Sequence, residues 1–155
     1  MTLSFKQGDI IWFDYPGKSP QPQIAIRNSN QVLILHDDTL HNQTIIIAPL
    51  ASLHNLNGSE KELKSYHLKL FKREYPQLLG DSYVKLDQIM TFPRSEVFGT
   101  TVCSLNEKDI AACHFKLMES LQMYSTISEI TTKQIQKAVE EVWEQHIKNI
   151  VKSSE

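Results

Sequence analysis

His67, Asp87 and Gln88 carry the side chains best placed to do chemistry in this chain of 155 residues. Histidine is the residue whose charge changes near neutral pH, so His67 can transfer a proton; its ordinary alternative is a half-exposed strand residue. The Gln88 amide can read a base edge or fix a strand end, and Asp87 can accept from neighbouring amides. Arg27 is the only arginine in the first seventy residues, and its guanidinium is a rigid donor fork that suits phosphate. Lys61, Lys64, Lys69, Lys72 and Arg73 crowd one stretch against Glu60 and Glu62. They form either a solvated face or one wall of a groove that tracks a phosphate backbone. His36 and His41 flank a polar turn and are weaker proton-transfer candidates. Trp12 and Phe13 can stack bases, although one of them must fill a core. No metal site is expected, because Cys103 and Cys113 have no cysteine at ligand spacing and the histidines are scattered. Neither a glycine-rich phosphate loop nor a nucleophile elbow is visible.

Strands must position these groups. In Asp81–Thr91, alternation puts Val84 and Leu86 on one face and Tyr83, Lys85 and Asp87 on the other. This predicts a strand that delivers the polar pair Asp87-Gln88 at its end. Other strands are predicted at Ile10–Phe13 after the Gly8-Asp9 turn, at Ile24–Ile26 and at Val32–Leu35. Thr44–Ala48 has β-branched residues on both faces and reads as a buried strand. Tyr66–Leu70 alternates, and Val97–Leu105 reads as the last strand. Many short strands with frequent turns predict a small barrel or sandwich. The character changes near Asn106, a candidate helix cap, after which Ile110, Cys113, Leu117, Leu121 and Tyr124 recur at helical spacing. A second helix is predicted from Thr131, which has Gln134 at capping-box spacing. Its apolar stripe runs from Ile135 to Val151, too wide for a helix lying in solvent. The stripe is therefore expected to pack on the barrel or across a dimer.

Composition is that of an ordinary single domain: 41% hydrophobic, 22% charged and a formal net charge of −2. That balance argues against a dedicated duplex-DNA binder, which carries a basic excess. No apolar run approaches the roughly 20 residues that cross a bilayer. Met1–Lys6 lacks a basic segment followed by an apolar one, so no signal peptide is expected and a cytoplasmic protein is the simplest reading. Free thiols fit that compartment.

Gly8–Asp14, Ile45–Leu50, Tyr66–Leu70, Asp81–Thr91 and the helix after Leu105 resemble, in order and spacing, the MazF/PemK family of toxins. The resemblance runs from about Lys6 to Tyr124. It implies an α+β, mostly β fold: an SH3-like β-barrel with C-terminal helices. Residues 1–155 then form a single domain, with the barrel and its helix in 1–124 and an additional helix in 125–155. It also implies a homodimer and cofactor-free, metal-independent cleavage of single-stranded RNA. As the toxin of a type II toxin–antitoxin pair, the chain would be blocked by a cognate antitoxin wrapped over its groove. Family members carry an Arg-Pro pair before their second apolar strand and a Thr or Ser after the Ala-Pro-hydrophobic turn. Here Ala51 follows Leu50, and Ser52 comes one place later. The arginine position falls on Gln21 or on Asn30, depending on which strand is matched. Arg27 lies between them, at a distance from Gly8 like the family's. The expected catalytic pair is Arg27 and Ser52, with Ser52 useful only if it lies beyond its strand's end. Its alternative is a turn serine bonding its own backbone. Gln21, Gln88, His67 and Lys69 are the expected RNA contacts. The missing hydroxyl at Ala51 leaves a second reading open, a catalytically silent relative that binds RNA or a protein partner as a regulator.

Overall fold

The computed structural model describes residues 4–13, 31–37, 43–97 and 100–152. The predicted strand at Ile24–Ile26 and the residues Gln21, Arg27 and His41 lie outside them. Seven strands form one antiparallel sheet: β1 (Asp9–Trp12), β2 (Gln31–Ile34), β3 (Thr44–Ser52), β4 (Leu68–Leu70), β5 (Ser82–Val84), β6 (Met90–Pro93) and β7 (Thr101–Ser104). Their order is β4-β5-β3-β2-β1-β7, with β6 also on β3. Helices α1 (Glu107–Ser120) and α2 (Tyr124–Lys152) follow. The chain forms two compact units, residues 1–120 and 121–155.

Alternation explains why the strands are apolar on both sides. Ile10, Leu33, Ala48, Leu50, Leu70 and Val84 turn one way into a core that Ile110, Cys113 and Leu117 of α1 also enter. Ile11, Val32, Ile34, Ile45 and Ile47 turn the other way onto Phe5, Phe13 and Val97. Burying both faces is what the β-branched run in β3 requires. Gly8 directly precedes β1 with left-handed backbone (φ 89°), and a Cβ there would meet Ile110 Cδ1 at 2.9 Å. Its N–H donates to Ile34 O and its carbonyl accepts from Leu105 N–H. Only glycine satisfies both the backbone conformation and the close approach of α1.

Asp81–Ile89 is not one strand, as the alternation had predicted. β5 and β6 lie on the same edge of β3, but the register shifts by three residues between Leu50↔Val84 and Ile47↔Met90. The surplus chain leaves the sheet as a turn closed by Gln88 N–H on Lys85 O, which lifts Asp87 and Gln88 out of the ladder. Pro49 explains where the break falls. Its carbonyl accepts from Lys85 N–H at 2.9 Å, so its nitrogen faces the same interrupted edge. A proline, having no N–H, is tolerated where no ladder bond is needed.

Asn106 caps α1: its Oδ1 accepts from Asp109 N–H at 2.8 Å. The second helix starts at Tyr124 rather than Thr131. Gln122, with φ 57°, separates it from α1. Residues 125–129 are helical, within α2. Thr132 Oγ1 donates back to Ser128 O at 2.8 Å, and Lys133 pairs with Glu129 at 2.7 Å. Among the described residues, no helix is long and apolar enough to cross a membrane.

Candidate functional site

Three strands, β4, β5 and β3, carry one polar row on the face opposite the α1 core. Register pairs Lys69 with Tyr83 and Tyr83 with Ala51. Residues two places along share the face, which brings in His67 and Lys85. The His67 ring lies 5.0 Å from the Tyr83 ring and edge-on to Tyr66 at 5.1 Å. Its Nε2 contacts Asp87 Oδ1 at 3.1 Å. A carboxylate can only accept, so Nε2 carries the proton. His67 Nδ1 is buried without a hydrogen-bond partner, and so is Gln88 Oε1.

Lys61 leans over the Tyr83 ring with Nζ 5.9 Å from its centre while donating to Ser52 O at 2.8 Å. Lys85 is buried. Burial pushes its ammonium pKa down, Lys61 adds to this, and Asp87 opposes it. Burial, with Asp87 next, pushes the Tyr83 phenol up, so the phenol keeps its proton at neutral pH and stays a donor. Lys69 is half-exposed and ion-paired with Glu60.

The expected site residues fall unevenly on this frame. His67 and Lys69 share the row, and Gln88 sits in the turn beside it. Ser52 is the last residue of β3 and pairs with Ser82. It is therefore inside the strand, and alternation turns it away from Ala51. Its Oγ donates to His54 O at 3.1 Å and accepts from His54 N–H at 3.3 Å, the closed turn a loop serine forms. His36 is occupied at both nitrogens: Nε2 accepts Ile46 N–H at 3.0 Å and Nδ1 meets Asp37 O at 2.8 Å. It clamps β2 to β3.

Sequence reasoning named Lys61 within the charged stretch that could wall a groove, but missed Tyr83 as a site residue. Alternation had put Tyr83 on the polar face, but only cross-strand register makes it the neighbour of Ala51. Among the described residues, no three of His, Cys, Asp and Glu converge as metal ligands.

The sheet order, the Ala-Pro-Leu partner switch and the α1 cap all lie within one matched region. Residues 6–121 match the model of a family described as PemK-like, MazF-like toxin of type II toxin–antitoxin systems. The chain belongs to that family. Solved structures agree on the fold of this MazF-like chain. It is similar to an endoribonuclease from a Mycobacterial species, with 14% identity, a TM-score of 0.55, and coverage of 79% of this chain and 96% of that one. It is likewise similar to a MazE–MazF complex from Deinococcus radiodurans, with 12% identity, a TM-score of 0.54, and coverage of 78% and 99%. MazF alone from that organism gives 15% identity, a TM-score of 0.53, and the same coverage. At these identities the likeness establishes the fold. No curated protein matches the sequence. The matched region ends before α2.

Proposed function

We propose that this MazF-like toxin grips single-stranded RNA across the β4-β5-β3 row and cleaves it without a metal ion. Metal-free cleavage needs the 2′-hydroxyl deprotonated as it attacks phosphorus, the phosphoryl charge stabilised, and the leaving 5′-oxygen protonated. Arg27 supplies the guanidinium for the charge. The hydroxyl donor on the row is Tyr83, cross-strand neighbour of Ala51, because Ser52 is spent on His54. The Asp87–His67 pair holds the Tyr83 ring, and Lys61 and Lys69 meet the backbone. Gln88, in the turn closed on Lys85 O, reads a base edge with its amide, and Gln21 joins it. A cognate antitoxin restrains the toxin by covering the same row, and the working unit is a homodimer. The observation that carries this reading is the family match over residues 6–121.

A second reading keeps the grip and drops the cleavage. It is favoured by Ala51 and by the closed Ser52 turn, which leave the row without an aliphatic hydroxyl. One assay separates the two. The purified chain is incubated with long mixed-sequence single-stranded RNA and a chelator. Cleavage to cyclic-phosphate or 3′-phosphate ends, lost in Arg27→Ala, supports the nuclease. Intact RNA at high protein concentration leaves the binding reading.

A further inference from the structure

Lys85 is a buried charge on the row to which the cleavage above gives no task. At 8% exposed it is sunk as deep as Tyr83 at 9%, whereas Lys61 and Lys69 lie nearer the solvent. Lysine is almost never buried this far unless something pairs with it. The backbone of Lys85 is fixed at the sheet break: its N–H donates to Pro49 O at 2.9 Å and its carbonyl accepts from Gln88 N–H at 3.1 Å. Residues two apart share a face, so Lys85 stands beside Tyr83. Two charges act on it, Lys61 from the loop after β3 and Asp87 from the turn. His67 of β4 and Tyr83 of β5 are the other titratable groups of this cluster, and both face Asp87.

Deprotonating a 2′-hydroxyl needs a group that can act as a base. Lys61 and Lys69 hold their protons in contacts with Ser52 O and Glu60. The Asp87 carboxylate is engaged by His67 Nε2, and His67 Nδ1 is buried. The Tyr83 phenol keeps its proton, and a guanidinium such as that of Arg27 does not release one. On Lys85, burial first and the like charge of Lys61 second both favour the neutral amine, against the opposing pull of Asp87. A neutral lysine is a competent base. We propose, on the strength of the cleavage reading above, that Lys85 is its general base: the Lys85 amine takes the 2′-hydroxyl proton as the 2′-oxygen bonds to phosphorus. The bond from phosphorus to the 5′-oxygen breaks, water protonates that oxygen, and the Lys85 ammonium returns its proton to the solvent. The products are a 2′,3′-cyclic phosphate and a 5′-hydroxyl.

The test is single-turnover cleavage of a labelled single-stranded RNA in chelator, with the full-length chain in saturating excess. It is followed across the neutral and alkaline range for wild type, Lys85→Arg and Lys61→Met. Arginine keeps the charge but cannot act as a base. Lys85→Arg is expected to lose cleavage by about a hundredfold or more while holding 2′-O-methyl RNA as tightly as wild type. The wild-type rate should rise with pH and level off as Lys85 loses its proton, with an inflection below the ordinary lysine range. Removing the like charge in Lys61→Met should move that inflection to higher pH. An arginine at a buried position can also disturb folding, so the wild-type chain supplies a second reading. In an NMR titration of isotope-labelled lysine side chains, the Lys85 signal should titrate before those of the other lysines. The inference falls if Lys85→Arg cleaves like wild type, if the Lys61→Met inflection does not move, or if Lys85 titrates with the other lysines; wild-type cleavage then still supports the nuclease reading. A wild-type chain that leaves the RNA intact overturns both.

Discussion

Ala51→Thr tests the geometry of the row most sharply, because it adds one hydroxyl at the centre of the proposed site. Ala51 is half-buried and sits directly across from Tyr83 in the β3–β5 register. Directly opposed residues have Cβ atoms about 5 Å apart, so a threonine hydroxyl would share with the Tyr83 phenol the space where a phosphodiester is proposed to lie. Threonine suits a strand better than alanine, and a half-buried hydroxyl still reaches water. The change in unfolding free energy should therefore stay below about 1 kcal/mol. One well-placed donor to a developing oxyanion is worth about 3–4 kcal/mol of barrier, or roughly a hundredfold to a thousandfold in rate. The assay is single-turnover cleavage of a labelled single-stranded RNA in chelator, beside a thermal melt. A gain of about two orders of magnitude at unchanged melting temperature is expected, with the gain absent when Arg27→Ala is combined. A variant that folds as well as wild type and cleaves no faster would refute the placement of RNA over Ala51.

Three further predictions concern the scaffold. Gly8→Ala should cost about 1–3 kcal/mol through left-handed backbone and the Ile110 contact, read as a lowered denaturant midpoint. His36→Phe should cost about 1–3 kcal/mol, because the Ile46 N–H loses its acceptor; His36→Asn should recover part of this. Tyr75 is buried and bonded to Asp109, and its phenol is pushed up to about 12 from 10.0, mostly by burial and then by that bond. Its contribution is whole below pH 10, where both states hold the proton. As pH rises from 10 towards 12 the unfolded chain ionises first and stability falls. Tyr75→Phe should flatten that part of the curve.

Much of the fold was legible because the strands carry local signals. Alternation through Val84 and Leu86 identified the core face of β5 and its turn, and Asn106 marked the start of α1. Four features were not legible. Alternation continues through Asp87, so nothing local shows the break between β5 and β6; it is set by the register along β3. The Thr131–Gln134 spacing imitates a cap, but the same residues sit inside a helix that began earlier. The facing of Ser52 depends on whether β3 continues past Ala51, which the length of its β5 pairing decides. The partnership of Ala51 with Tyr83 is a cross-strand fact that no sequence spacing encodes.

RNA is proposed to lie across the β4-β5-β3 row. Photo-crosslinking of a 2′-O-methyl single-stranded RNA, which binds but cannot be cut, followed by mass spectrometry of the linked peptides, tests it directly. Crosslinks on the peptides holding His67, Tyr83 and Gln88, lost on competition with unmodified RNA, are predicted. Crosslinks confined to α2, or none at saturating RNA, would contradict it.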